Sequence, residues 1–211
     1  MFLDIHTHLL PHIDDSKATM PLLKSIFSNY ERYFIDTVVF TPHLFNPFVH
    51  TNIPHIQKTY EECSALAATY GITTYLGSEV FVKDEEDALY GLPIDNRYLF
   101  IETSTQCAPV HFTDKIQKSL DEGYGVILAH LEKYPWLSYD NELFEQLNKM
   151  GVIFQVTANA INTAKAQEYL QRGLVDVFAT GNHGLLDEPQ ILSQAYASYP
   201  LVAEKTKLLH L

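Results

Sequence analysis

Apolar residues in this chain fall into short continuous runs separated by amphipathic stretches. Runs rich in β-branched and aromatic residues recur at 2–5, 36–41, 72–76, 98–102, 125–130, 152–156 and 174–180, and each predicts a buried strand. Between them the apolar positions switch to helical spacing. Leu22, Leu23, Ile26, Phe27 and Tyr30 share one face over 19–33, with Thr19 as N-cap and Pro21 in the first turn. Ile56, Tyr60, Cys63, Ala67 and Tyr70 do the same over 54–70, and Gly71 is the stop. Further helices are predicted at 84–90 (short and acidic), 113–122, 141–150, in a stretch ending at Gly173, and at 189–199 before a short apolar tail. Strands that alternate with helices pair in parallel through right-handed crossovers. Near-continuous apolar strands mean that both sheet faces are covered. Nothing reads as a linker, repeat or low-complexity segment, so one domain over 1–211 is expected.

An open doubly wound sheet and a closed barrel both satisfy this alternation. The polar residues separate them. His6 and His8 lie two apart on the first strand, so alternation aims both at one point, with Asp4 expected on the same side. After Pro11 a loop delivers His12, Asp14 and Asp15. His43, Glu79, Glu102, His130 and His183 stand at or just past the ends of later strands. In an open sheet those ends form a line and the outer ones cannot meet. In a barrel they converge on one mouth, where barrel enzymes place their chemistry. A closed or nearly closed (β/α)7 barrel is therefore expected. Each residue alone has a structural explanation, such as a loop histidine or a carboxylate tied to backbone amides. So many strands ending in His or Glu point instead to divalent metal, because crowded buried carboxylates need cations beside them.

Charge narrows the partners. With 14 Lys+Arg against 26 Asp+Glu the formal net charge is −12, and no basic stripe is present for nucleic acid or an anionic membrane. No apolar run approaches a membrane span and no signal peptide is recognisable, so a cytoplasmic protein is expected. Cys63 and Cys107 are the two cysteines, which fits a reducing compartment. Neither cysteine has an Arg six residues after it, since Thr69 and Thr113 stand there.

The opening D-I-H-T-H-L-L-P-x-I-D-D, then T-P-H, G-S-E-V, I-E and A-H-x-E-x-Y-P in order along the chain, resembles the PHP (polymerase and histidinol phosphatase) superfamily. Within it the chain is most similar to the bacterial tyrosine-protein phosphatases of capsule and exopolysaccharide gene clusters. The resemblance implies a distorted seven-stranded TIM-like barrel with two to three divalent metals (manganese, iron or zinc). Carried over by position, it implies His6, His8 and Glu79 on a first metal, and Asp15, His43 and His183 on a second. Glu79 would bridge to a third, bound by Glu102 and His130. It also implies metal-assisted hydrolysis of a phosphotyrosine protein, with a tyrosine kinase of polysaccharide assembly as a possible partner.

The chain departs from the family pattern at several positions. Gly181 replaces an Asp ligand of the first metal, and Lys133 replaces an Arg. Lys gives a phosphate charge but not the bidentate fork. No Arg follows His183 within 184–188, and His12 stands where Gly is usual, close enough to Asp15 for an accessory ligand or proton donor. Lys133 and His12 are thus the expected catalytic side chains. The losses leave two alternatives open: a metal-binding relative without turnover, or a hydrolase of small phosphates such as histidinol phosphate. The His-x-His pair is also similar to amidohydrolases, but no strand-end Lys or bridging carboxylate of that type can be placed.

Overall fold

The computed structural model describes residues 2–211. The strand segments are β1 (Phe2–Thr7), β2 (Ile35–Phe40), β3 (His43–Leu44), β4 (Thr73–Leu76), β5 (Glu79–Phe81), β6 (Tyr98–Glu102), β7 (Gly125–Leu128), β8 (Ile153–Thr157) and β9 (Val177–Ala179). They pair in parallel as a three-stranded sheet, β1-β2-β4, and a six-stranded sheet, β3-β5-β6-β7-β8-β9. The two sheets meet where two strands break. Thr41–Pro42 separates β2 from β3, and Gly77–Ser78 separates β4 from β5. Across the breaks Gly77 N–H donates to Phe40 O at 2.8 Å and Glu79 N–H to Pro42 O at 3.0 Å. The sheet curls until the extension of β9 returns to β1, with Gly181 N–H on His6 O at 2.9 Å and His8 N–H on Asn182 O at 2.8 Å.

The curl has two apolar sides. Leu3, Ile5, Val39, Phe100, Ile127 and Val177 fill its interior, together with Leu209 from near the C-terminus. The larger cluster lies between the sheet and the helices α1 (Met20–Arg32), α2 (Ile53–Ala68), α3 (Phe112–Asp121), α4 (Glu142–Lys149), α5 (Ala164–Leu170), α6 (Glu188–Ser198) and α7 (Pro200–Lys207). Thr19 caps α1 by accepting from Leu22 N–H, and the helix buries Leu23, Ile26, Phe27 and Tyr30. Among the described residues no helix is long and apolar enough to cross a membrane.

Three expectations are corrected. Residues 84–90 form no helix, because their acceptors are spent on side chains: Lys115 Nζ takes the carbonyls of Lys83 and Asp84, and Lys118 Nζ takes that of Asp87. The apolar tail is largely helical, since Pro200 starts α7 and Val202 and Thr206 are buried. Asp4 does not share a face with His6. The β1–β2 register shifts between Asp4 and Thr7, which turns His6 into the curl while Asp4 points at α1. There Asp4 accepts from Tyr30 Oη at 2.6 Å and Thr180 Oγ1 at 2.7 Å. Burial raises its pKa to about 6 against these hydrogen bonds.

Candidate metal centre

The strand breaks deliver the central residues. His43 opens β3 and Glu79 opens β5, directly paired in register. Glu79 is 1% exposed and contacts four imidazoles: His6 Nε2 at 3.4 Å, His8 Nε2 at 3.2 Å, His43 Nδ1 at 3.1 Å and His130 Nε2 at 3.0 Å. Glu102, at the end of β6, lies 3.0 Å from His43 Nδ1 and 3.6 Å from His130 Nε2. At the rim, exposed Asp15 lies 3.0 Å from His183 Nδ1 and 3.9 Å from His43 Nε2.

The residues expected at the site are thus brought together with one exception. His12 is exposed, adopts φ 61°, and does not line the cleft that holds the others. That cleft has a volume of about 650 Å³, and Lys133 sits on its edge in a 3-10 turn, Leu131–Lys133. Three sets have donor atoms within 4.8 Å of one another: His6 with His8 and Glu79, His8 with Asp15 and His43, and His43 with Glu79 and Glu102. The first set coincides with the ligands expected for the first metal. In the other two, His8 and His43 stand where His183 and His130 were expected.

The donor chemistry fits a cation. His8 Nδ1 faces Asp14 Oδ2 at 2.8 Å and His6 Nδ1 faces Gln155 Oε1 at 3.4 Å. Both oxygens accept, so each ring holds its proton on Nδ1 when neutral and turns an Nε2 lone pair inward. The two Nε2 atoms lie 2.9 Å apart, which needs either a proton or a metal ion between them. Protonation is divided unevenly when only protons are present. Burial lowers His6 to about 4, whereas Asp14 and Glu79 overcome the burial of His8 and raise it to about 9. Burial also disfavours charge on His43, but Glu102 and Glu79 raise it to about 11. Burial and the nearby His8 lower His183 to about 4. Burial would raise Glu79, yet the surrounding imidazoles hold it well below the carboxylate range.

Two supporting side chains escaped sequence reasoning. Gln155 on β8 accepts from His130 N–H at 2.7 Å and faces His6, and its one visible signal is being the polar residue in an apolar run. Asn46 donates to Glu102 Oε1 at 2.8 Å from a loop with no distinguishing pattern.

A family model described as capsular polysaccharide synthesis, CpsB/CapC, matches residues 2–199. The chain belongs to the CpsB/CapC family. The family resemblance carried by the ordered motifs is borne out. Among CpsB/CapC relatives, the tyrosine-protein phosphatase CpsB of Streptococcus pneumoniae is 25% identical over 214 residues, covering 92% of this chain and 88% of the relative. The fold is similar to crystal structures of YwqE from Bacillus subtilis and CpsB from Streptococcus pneumoniae, described as metal-dependent tyrosine phosphatases. That match has a TM-score of 0.78 at 19% identity and covers 98% of this chain and 93% of the other. A candidate histidinol phosphatase, hisK of Listeria monocytogenes, is similar at a TM-score of 0.56 and 9% identity, covering 93% and 99%. At these identities the two structural matches establish the fold, a parallel α/β sheet curled into a partial barrel.

Gly181 lies beside the donor cluster. Its backbone has φ +61°, and a Cβ there would lie 3.8 Å from His6 Cε1 in ordinary contact. A side chain at this position therefore points toward the His6 cluster, and glycine leaves that approach open.

Proposed function

We propose that this chain is a metal-dependent protein-tyrosine phosphatase of capsule or exopolysaccharide synthesis, acting in the cytoplasm on a phosphotyrosine protein such as a polysaccharide-assembly tyrosine kinase. The observation that carries it is the buried convergence of four imidazoles on Glu79, in a chain of the CpsB/CapC family. His6, His8 and Glu79 would hold one cation and Asp15, His43 and His183 a second. Glu102 and His130 would hold a third that shares Glu79. Manganese, iron and zinc all suit this mixed N/O donor set. When bound, such cations acidify water toward neutral pH and offset charge on phosphoryl oxygens. Asp14 and Gln155 hold the rings of His8 and His6 so that each Nε2 faces Glu79. Lys133, on the cleft edge, supplies positive charge to a phosphoryl oxygen as a point charge. His12 is not included, because it lies outside the cleft lining.

The proposal extends to architecture. β2 with β3, and β4 with β5, each count as one interrupted strand, which gives the seven positions of a distorted barrel in a single domain over 1–211. Gly181 favours a second reading at one position only: with no carboxylate there, the His6/His8 site would hold its cation weakly.

The test is turnover of a phosphotyrosine peptide by the purified chain with and without added metal. Activity should vanish on exhaustive chelation, return with manganese, iron or zinc, and survive thiol alkylation. His43→Ala and His130→Ala should each lower bound metal and thermal stability together. Activity that resists chelation and dies on alkylation would overturn the proposal, as would unchanged metal content in both variants.

A further inference from the structure

Beside the metal cleft lies a second groove, of about 570 Å³, that the reaction itself does not use. Phe45, Pro47, Val49, Phe81 and Pro109 give it apolar walls, and Lys83, over the Phe45 ring at 4.9 Å, also lines it. The volume falls within the range of ligand pockets. Its two walls are held rigidly, and both are tied to the metal site or to buried groups. On one side Asn46 donates to Glu102 at 2.8 Å, and Thr51 Oγ1 donates to His43 O at 2.6 Å, so this loop is pinned near both ends to site residues. On the other side Lys115, 2% exposed, spends its ammonium on the carbonyls of Lys83 and Asp84, while Asp84 Oδ1 accepts from Val110 N–H at 2.8 Å. A buried lysine placed on backbone carbonyls is a costly way to fix an irregular loop unless its shape matters. Phe45 is also 37% exposed in the left-handed region, φ 62°, where an aromatic residue is strained.

The occupant follows from continuity with the cleft. Asn46 lines the groove while bonding Glu102, which lines the cleft, so the two spaces share a wall. The cleft is also lined by Glu132, Lys133, Thr157, Asn159, Thr163 and Lys165. A phosphoryl group suits the two lysines and the donor cluster. The peptide that carries it must leave across the rim, and the groove offers an apolar surface for it. We infer that this groove binds apolar side chains flanking the phosphotyrosine of a protein substrate. The inference rests on the phosphatase reading and names its substrate class: extended phosphotyrosine segments with aliphatic or aromatic neighbours.

The experiment uses the metal-loaded full chain and three substrates: p-nitrophenyl phosphate, a phosphotyrosine peptide with Leu and Phe flanks, and the same peptide with Gly and Ser flanks. Burial of one or two apolar side chains predicts a preference of about tenfold or more in kcat/KM for the apolar flanks, carried by KM. Phe45→Ala and Val49→Asp should each collapse this preference toward unity, measured as a ratio against p-nitrophenyl phosphate. A native chain without the preference, or variants that both keep it, would overturn the inference. Cys107 gives a readout independent of turnover, since it is exposed and lines the groove while Cys63 is buried. A hydrolysis-resistant phosphonate analogue of the apolar-flanked peptide should slow maleimide labelling of Cys107 severalfold. Protection without turnover of any substrate would uphold the groove and overturn the phosphatase reading. Turnover with neither preference nor protection would overturn the groove alone, and failure of every measurement would overturn both.

Discussion

Adding a carboxylate by Gly181→Asp separates a gain of a metal ligand from a mere backbone change. The added Cβ has room, with His6 Cε1 at 3.8 Å and Nδ1 at 4.0 Å as its nearest neighbours, and the side chain beyond it heads for the His6/His8 site. The backbone N–H keeps its bond to His6 O at 2.9 Å. The cost is conformational, because φ +61° is strained for a residue with a Cβ, although Asp tolerates it better than most. The metal-free variant should therefore lose about 1–2 kcal/mol. For a domain of this size that is roughly 2–8 °C in Tm. Metal offsets that loss. If the aspartate tightens binding tenfold, saturating metal stabilises the variant by about 1.4 kcal/mol more than the native chain. The metal-induced rise in Tm should then be about 3–6 °C larger. Scanning calorimetry with chelator and with saturating manganese, paired with metal stoichiometry, measures both effects. A variant whose Tm falls equally with and without metal has gained strain and no ligand, and that result would refute the reasoning.

Two further outcomes follow from the surroundings of the site. Gln155→Leu removes the acceptor that orients His6 and that receives the His130 N–H, so it should weaken metal binding about 10–100-fold. The orphaned His130 N–H should also cost about 1–3 kcal/mol, and normal metal affinity in the variant would remove Gln155 from this role. Glu188 is buried, accepts from Asn159 Nδ2 at 3.2 Å, and leaves Oε2 without a partner; burial raises its pKa from 4.5 to about 7. The folded state therefore holds the proton more tightly, and this stability, complete below pH 4.5, is lost as pH rises to 7. Each pKa unit being worth about 1.36 kcal/mol, the loss is about 3 kcal/mol. Glu188→Gln should flatten that slope in denaturant titrations across the window, and a parallel slope in both proteins would rule the group out.

The chain's regular elements were legible because their apolar positions obey simple periods. Leu23, Ile26, Phe27 and Tyr30 are indeed the buried stripe of α1, and the strand runs recur where the ladders form. The donor set was legible for a different reason. Each of His43, Glu79, Glu102 and His130 stands at or within a few residues of the end of an apolar run, where a charged or imidazole group is conspicuous. What stayed hidden depends on tertiary partners. Nothing local shows that Lys115 will take the carbonyls that a helix at 84–90 would have used, or that a register shift in β1 turns Asp4 toward Tyr30. Gln155 showed only as a polar residue in an apolar run, and its supporting role stayed hidden because it is fixed by His6 and His130, far away in sequence.

The strand breaks show how tightly fold and chemistry are joined in this chain. A continuous strand from β4 through β5 would keep strict alternation, and the position of Glu79 would be set by its distance from Tyr75 alone. The break at Gly77–Ser78 frees it. It is held open by close packing that excludes any larger residue: a Cβ on Gly77 would fall 2.5 Å from Ile94 Cγ1, and one on Gly91 would fall 2.3 Å from Val80 Cγ2. Ser78 Oγ completes the contact by accepting from Leu92 N–H at 2.9 Å. Gly91, just past the helix expected at 84–90, is instead the point where the 82–97 loop presses against the broken strand. The same loop forms one wall of the apolar groove through Lys83 and Asp84. Its anchoring therefore serves two ends at once: it fixes where Glu79 meets four imidazoles, and it fixes the surface a substrate chain would meet on leaving the cleft. Disorder in this one loop would be felt at both, which accounts for the use of a buried lysine and two space-limited glycines to hold a segment with no helix or strand of its own.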